Sequence, residues 1–378
     1  LRYTANHATR ITFAGQTVGG QPPAAAPEDE KTPMQDLRVI APNLKRRLSG
    51  VTTTVIRLVP LQSQWIGIAA TGPGLPPEVP HIPLIKVPFL SRRLSRVWHA
   101  RRNTEMVMGL FLKHVLRCNF KLLFTSAAQR DHSGYTKWLI SKMDGLIATS
   151  PQAASFLEHP SKVIMHGVNT ELFHPTGDKP ALRRELNLPD GLLIGCFGRI
   201  RPQKGVDLLV DAAVELLPSR PDVHIVFTGR ATSEFEAFQA EQEQKLAAAG
   251  IADRVRFLGE RPWDEIVKTY RALDLFVAPA RHEGFGLTPL EAMASGVPAV
   301  ACHDVGAFSA QIVDGETGRL AEKDNAPALT EALRQMIDDR AALANAGIAA
   351  RKHVESNFAI EGEARAILAV YRALLGPS

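Results

Sequence analysis

The sequence predicts an α/β protein of two doubly wound parallel units in tandem, completed by a C-terminal helix, and three observations carry this. The chain has 378 residues, more than one ordinary core accommodates. Short apolar runs of strand length alternate with helical stretches, as parallel βαβ units require. The alternation breaks near His174–Pro180 and then starts again. The expected divisions are an N-terminal extension over 1–35, a first unit over 36–175, a second over 176–355, and a helix over 356–378 that packs back on the first unit.

Residues 1–35 lack hydrophobic periodicity, and Gln21–Pro33, rich in Pro, Ala and acidic residues, reads as a linker. Order is expected from Asp36. Leu37–Pro42 is a strand, Val51–Leu61 a helix behind Ser49-Gly50, and Trp65–Ala70 a second strand. Arg96–His99 and Lys121–Thr125 are strands on either side of the helical stretch Asn103–Leu116. Ser133–Met143 is helical, and Gly145–Thr149 and Lys162–Met165 are strands. In the second unit strands are expected at Leu192–Phe197, His224–Thr228, Val255–Leu258, Leu275–Ala278 and Ala299–Ala301. The intervening helices are Gly205–Leu217, Glu234–Ala249, Asp264–Leu273 and Pro289–Ala294, followed by Ala326–Asp338, Ala341–Asn357 and Ile360–Leu374. Ligands of such sheets bind beyond the carboxyl ends of the strands, so the loops that follow strands are where function is sought.

Composition narrows the class. With 45% hydrophobic and 22% charged residues the chain reads as soluble and globular, and no apolar run reaches the ~18–20 residues that span a bilayer. Residues 1–20 lack the apolar segment of a secretory signal. Cys118, Cys196 and Cys302 are scattered singly, which argues against a disulfide framework or a structural zinc and for a reducing, cytoplasmic setting. The net charge of +5 is unevenly spread: 21 Lys and Arg face nine Asp and Glu in residues 1–165, and 23 face 30 in residues 166–378. The basic half carries the clusters Lys45-Arg46-Arg47, Arg92-Arg93 with Arg96, and Arg101-Arg102. Nucleic acid, an anionic membrane face or an acidic acceptor would each suit them, and a solvated basic surface explains any one of them as well.

Three loops of the second unit follow strands. Gly198-Arg199-Ile200-Arg201-Pro202-Gln203-Lys204-Gly205 opens a helix, where backbone amides, the helix dipole and two cations would favour a phosphate; a basic helix-capping turn is the plainer reading. In Arg281-His282-Glu283-Gly284-Phe285-Gly286-Leu287-Thr288-Pro289-Leu290-Glu291 the glycines permit a tight turn before a second helix start. Thr288 with Glu291 forms a capping box with Pro289 at the first helical position, which alone would account for Glu291. It does not account for Glu283, a carboxylate at a turn suited to anions, which makes sense as an acceptor for sugar hydroxyls. Asp304-Val305-Gly306-Ala307 is a third small-residue turn.

Taken together, Gly198-Arg199, Lys204-Gly205, Glu283-Gly284-Phe285-Gly286 and Glu291-Ala292-Met293-Ala294-Ser295-Gly296-Val297-Pro298 resemble the retaining glycosyltransferases of family 4, with their E-x7-E motif and GT-B fold of two Rossmann-like domains facing a central cleft. That resemblance implies a donor diphosphate held by Arg199 and Lys204, and Glu283 on the transferred sugar. It places the backbone of Phe285, Gly286, Leu287 and Thr288 along sugar and phosphates, and Glu291 on the ribose hydroxyls. The base would rest near Arg230 and the turn Glu260-Arg261-Pro262, with Ser49, Gly50 and Val51 as a glycine loop that closes on the donor. Val39–Gly50, Val97–Asn103 and Phe124–Arg130 further resemble mannosyltransferases of the lipopolysaccharide core. This implies GDP-mannose as co-substrate, no other cofactor, and an anionic Kdo-bearing glycolipid acceptor met at the cytoplasmic face of the inner membrane. Lys45, Arg46, Arg47, Arg101, Arg130 and His132 are the candidate acceptor contacts.

The chain departs from the family in three places. Ser126-Ala127 stands where a His is usual, His166-Gly167 replaces an Asn-Gly pair, and Gly306-Ala307 replaces Gly-Gly. With no Asp-x-Asp at a strand end, no catalytic metal is expected. Domain closure over the donor would complete the contacts. A family-4 enzyme using a UDP-sugar and a GT-B epimerase or phosphorylase are the nearer rivals. A nicotinamide dehydrogenase lacks its G-x-G-x-x-G, and a non-enzymatic binder of nucleic acid or anionic surfaces leaves the second-half motifs unexplained; no nucleic-acid partner is expected.

Overall fold

The computed structural model describes residues 36–45 and 50–376. Contacts divide the chain into two units, the first ending at Lys121 and the second beginning at Leu122. In the first, β1 (Val39–Pro42) is flanked by β2 (Ile68–Thr71) and β3 (Arg96–Ala100), both parallel to it, with Val39 opposite Ile68 and Val97. The helices are α1 (Gly50–Gln62) and α2 (Asn103–Leu110). α2 runs into a π-helical turn, Phe111–Val115, where the periodicity alone predicts an unbroken helix to Leu116. A 3-10 helix, Leu84–Phe89, lies between β2 and β3; Pro83 and Pro88 account for the absence of an α-helical signal there.

Two arginines of this unit, Arg96 and Arg102, turn inward. Arg96 is 3% exposed and donates from Nε to Leu37 O at 2.7 Å and from Nη1 to the Ser91 and Leu94 carbonyls. Arg102 pairs with the buried Glu105 at 2.8 Å, and also donates to Asn43 Oδ1 at 3.0 Å and Thr52 Oγ1 at 3.1 Å. Two of the residues in the basic clusters thus hold β3 and the α1 and α2 starts together. His99 is buried on β3, and burial, then Arg101, holds its imidazole well below its ordinary value of 6.5. The unfolded chain takes up a proton near that value and the folded one does not. The stability that neutral His99 supports is therefore complete above about pH 6.5 and lost as pH falls towards the depressed folded value. Thermal unfolding midpoints should drop on acidification from about pH 7 to pH 5. His99→Gln should flatten that slope in part, since His132 and His224 are shifted down too.

The second unit carries the rest of β4 (Phe120–Ser126), parallel to β5 (Gly145–Ala148), which is parallel to β6 (Lys162–Val163), with α3 (Gly134–Ile140) and α4 (Pro151–Ser155) between them. α5 (Lys179–Glu185) leads into a six-stranded parallel sheet. Its strands are β7 (Leu192–Phe197), β8 (Val223–Thr228), β9 (Val255–Phe257), β10 (Leu275–Ala278), β11 (Ala299–Cys302) and β12 (Gly318–Ala321), in the order β12-β11-β10-β7-β8-β9. Alternate residues feed two cores. Leu193, Phe197, Phe276 and Ala301 pack on one face with α8 (Trp263–Ala272), α9 (Thr288–Ala294) and α12 (Arg340–Asn357). Ile194, Cys196, Phe227 and Val277 pack on the other with α6 (Val206–Leu216) and α11 (Ala326–Ile337). Strands buried on both faces read as continuous apolar runs, which is why β7, β8, β10 and β11 are visible in the sequence; β9, an edge strand, shows only through its apolar Val255 and Phe257. The sixth, β12, is an edge strand, Gly-Arg-Leu-Ala, with no such run. α7 (Glu236–Ala248), α10 (Phe308–Gln311) and α13 (Ile360–Leu375) complete the unit. The end of α13 lies over β5, where a Cβ on Gly145 would stand 3.3 Å from Leu374. Among the described residues no helix is long and apolar enough to cross a membrane.

Candidate active site

The second sheet reverses direction between β7 and β10. From β7 the chain goes outward to β8 and β9, and the later strands are laid on the other side. The loops leaving these two neighbouring strands part around a crevice, the usual ligand position in such sheets. The loop after β7 makes a 3-10 turn, Pro202–Lys204, and enters α6 through Gly205 at φ 67°. A Cβ there would fall 1.8 Å from the Pro279 carbonyl oxygen, so glycine is what lets the start of α6 lie against the end of β10.

Arg281 fastens the two loops. Its guanidinium holds both oxygens of Asp207 at 2.7 and 2.8 Å, the Pro202 carbonyl at 2.7 Å and Asp324 Oδ1 at 2.6 Å. The amides of Arg281 and His282 donate to Gln203 O at 3.0 and 3.3 Å. The result is one small pocket lined by Gly198, Arg199, Lys204, Ala278, Pro279, Glu283, Thr288 and Phe308, among others. The structure therefore brings Arg199, Lys204, Glu283 and Thr288 together. Arg199 is exposed at the mouth. Lys204 and Glu283 form an ion pair with both side chains about three-quarters buried, and the other Glu283 oxygen accepts from Gly284 N at 2.9 Å. An ammonium has three donors, so Lys204 can keep Glu283 and still take a phosphate oxygen.

The Glu283–Gly286 turn is supported from below. Gly286 has φ 83°, and a Cβ on it would sit 2.2 Å from the Phe308 ring. Ala307 N, from the third loop, and Gln311 Nε2 both donate to Phe285 O, at 3.0 and 3.3 Å, and Gln311 Nε2 also reaches Gly286 O at 2.9 Å. The capping-box expectation fails at α9: the helix opens with Leu287 at its cap and no side-chain capping bond. The Glu291 carboxylate instead accepts from Tyr270 Oη at 2.7 Å. Burial first, then the charge of Glu291, pushes the Tyr270 phenol well above its ordinary range, so it remains a donor that orients Glu291.

The other candidates are not among the residues that line this pocket. Arg230 is exposed and pairs with Glu260 at 3.3 Å, and the Gly229 amide donates to Gly259 O at 2.8 Å, so Arg230 and the 260–262 turn stand side by side. After β4, His132 Nε2 lies 3.2 Å from Ser126 Oγ, so the ring returns to the strand end where the sequence itself has no His. Burial, then Lys137, holds that imidazole below its ordinary value against the opposing pull of Asp131. Gln129 Nε2 donates to Gly284 O at 2.5 Å, tying this loop to the Glu283–Gly286 turn. Arg130 is exposed. In the first unit Lys45 is exposed, Gly50 and Val51 open α1, and Arg101 lies on His99, 3.4 Å from Nδ1. Arg46, Arg47 and Ser49 lie outside the described residues. Sequence reasoning missed Tyr270, Gln129, Arg281 and Gln311 as site residues; each acts through a partner far along the chain, and no local spacing marks them.

Two parallel α/β sheets, the second with a pocket at the carboxyl ends of β7 and β10, define a fold of the GT-B type. Residues 178–353 match the family of glycosyl transferases group 1. Over 348 residues the chain is 50% identical to the lipopolysaccharide core biosynthesis mannosyltransferase LpcC of Rhizobium leguminosarum bv. viciae, spanning 91% of this chain and 98% of that protein. It is 49% identical to LpsB of the same description from Rhizobium meliloti (strain 1021), over 90% of this chain and 99% of that one. Anabaena HepE, solved in complex with UDP, has a TM-score of 0.77 at 19% identity and covers 88% of this chain, 99% of its own, which shows the shared fold. The chain belongs to the group 1 glycosyl transferases, alongside the core-mannosyltransferase relatives LpcC and LpsB.

Proposed function

We propose that the protein transfers mannose from GDP-mannose, with retention at the anomeric carbon, to a Kdo-bearing acceptor of the lipopolysaccharide core. The observation that carries this is the convergence of Arg199, Lys204, Glu283 and the α9 start on one pocket, in a chain half identical to LpcC. Arg199 and Lys204 hold the diphosphate and Glu283 the sugar hydroxyls. The Phe285–Thr288 backbone lines sugar and phosphate, and Glu291, oriented by Tyr270, takes the ribose. Arg230 and the 260–262 turn receive the base. As the bond from sugar C1 to the phosphate oxygen breaks, charge grows on the leaving diphosphate, where fixed cations stabilise it. The acceptor oxygen bonds to C1 on the same face and passes its proton to the departing phosphate, so no separate protein base is required. His132 with Ser126, and Lys45, Arg46, Arg47, Arg101 and Arg130, serve the acceptor, and Ser49, Gly50 and Val51 close on the donor.

A thermal-shift panel of GDP, UDP and ADP sugars tests the donor. GDP-mannose should raise the midpoint most, because only differential affinity for the folded state stabilises it. Larger stabilisation by a UDP-sugar would move the assignment to a UDP-dependent transferase. Product analysis with the Kdo-bearing acceptor then shows the sugar and its anomeric form.

An acceptor of this kind places the enzyme at the cytoplasmic face of the inner membrane, and the first unit carries a suitable surface. Ile85 and Phe89 on the 3-10 helix are 77% and 84% exposed, and Val107, Phe111 and Val115 recur every fourth residue as an exposed stripe. The stretches that follow the two segments are joined, Asn119 Nδ2 donating to Arg92 O at 3.3 Å. Lys86, Arg92, Arg93 and Arg117 surround them without an exposed carboxylate in 84–121. Apolar tips ringed by cations suit an anionic bilayer. Ile85→Ser with Phe89→Ser should lower co-sedimentation with phosphatidylglycerol vesicles at least about tenfold, given ~1.5–3 kcal/mol per buried large side chain. Undiminished binding would refute this surface.

A further inference from the structure

We propose that Glu363 and His166 form a clasp that positions the donor loop through Phe285; this rests on the donor-site reading above. The segment before the second sheet is zipped to the start of α13, with Val168 N donating to Phe358 O at 2.7 Å and Ile360 N to Val168 O at 3.0 Å. Glu363, in the first turn of α13, is 6% exposed. Its carboxylate spends both oxygens on this segment: Oε1 accepts from His166 Nδ1 at 2.7 Å and Oε2 from Gly167 N at 2.8 Å. A buried carboxylate needs such partners, and two of them on consecutive residues fix its direction.

Holding Nδ1 also fixes the plane of the imidazole. The ring meets Phe285 edge-on, with centroids 4.9 Å apart and planes at 78°. Phe285 is two residues from Glu283, the partner of Lys204, and its carbonyl is held from the other side by Ala307 and Gln311. The donor turn is therefore gripped on its backbone by one set of residues and on its one aromatic side chain by His166. Fastening α13 to the segment would require only the hydrogen bonds. The ring at 166 has a second use, and that use points at the donor.

Asn at 166 separates the two roles, because its side-chain amide stands where Nδ1 stands and still donates to Glu363, but offers no ring to Phe285. The experiment measures donor KM, kcat, GDP and UDP affinity by calorimetry, and thermal midpoint for the wild type, His166→Asn, Glu363→Gln and the double variant. His166→Asn should keep the midpoint and kcat close to wild type while donor KM and nucleotide Kd rise together about five- to tenfold, the pattern of lost ground-state and transition-state binding in equal measure. Glu363→Gln sets an amide group against a donor and should lower the midpoint and raise donor KM. That rise in KM should vanish in the His166→Asn background, since Glu363 acts through the ring. Wild-type KM and Kd in His166→Asn, or an equal Glu363→Gln effect in both backgrounds, would overturn the clasp and leave a structural bond. Transfer by the wild type keeps the functional reading whatever the variants do, and a wild type that binds neither GDP nor UDP overturns both.

Discussion

Lys204→Ala should lower kcat by about 10²–10³, the usual loss when one preorganised charge is removed from a site where charge develops. The lysine stem rises past Gly198 into the pocket, with its ammonium on Glu283 and its side chain 22% exposed. Removing it takes away the cation nearest the turn and leaves Glu283, 23% exposed, without its ion-pair partner. The residual carboxylate repels a diphosphate, so nucleotide affinity should fall with turnover. Lys204→Arg should recover only part of the loss, because a planar fork does not replace a compact ammonium in a pocket closed by Pro279 and Phe308. Steady-state kinetics with GDP-mannose, supported by calorimetric titration of GDP, measure both effects. Turnover unchanged in Lys204→Ala would remove the diphosphate from this pocket and the proposed mechanism with it. The pocket does not depend on Lys204 to stay folded, since Arg281 and Gly205 hold the two loops together independently.

What the sequence shows of this molecule follows from where its information is local. Leu192–Phe197 and Leu275–Ala278 are legible because a strand buried on both faces has to be apolar throughout. The pocket loops are legible because glycine marks the places where backbone meets backbone or ring, as at Gly205 and Gly286, and the spacing of those glycines to Arg199, Lys204 and Glu283 resembles that of a family. Side chains whose meaning depends on a distant partner are not legible. Nothing in Trp263–Ala272 announces that Tyr270 will orient Glu291, and a valid capping box at Thr288 points elsewhere. Gln129 meets a turn 155 residues away. Charge clusters mislead for the same reason: Arg92 and Arg93 stay outside, but Arg96 is drawn in by the Leu37 carbonyl, 59 residues away, and Arg102 by Asn43 and Thr52, 59 and 50 residues away. The departure at His166 is visible in the sequence, while its partner Glu363, 197 residues on, is not.

Glu283→Gln should separate binding from turnover in the opposite sense to Lys204→Ala. Glutamine keeps the size of the side chain and an acceptor oxygen, so the bond from Gly284 N survives and the turn should hold its shape, supported by Phe308 and Gln311 beneath it. The charge on Lys204 is then no longer shared with a carboxylate. A diphosphate meets a freer ammonium and one fewer repelling anion, so GDP affinity should stay level or tighten. The transferred sugar, however, loses a charged acceptor for its hydroxyls, and bonds to an ionised acceptor are roughly twice as strong as neutral ones. If those bonds strengthen as the sugar turns cationic on leaving the phosphate, kcat should fall about 10²-fold with little change in GDP binding. Calorimetry with GDP beside kinetics with GDP-mannose gives both numbers from the same preparation. Weaker GDP binding together with normal turnover would mean that Glu283 only braces Lys204 and never touches the sugar. The pair of variants therefore assigns the two halves of one ion pair to the two halves of the donor.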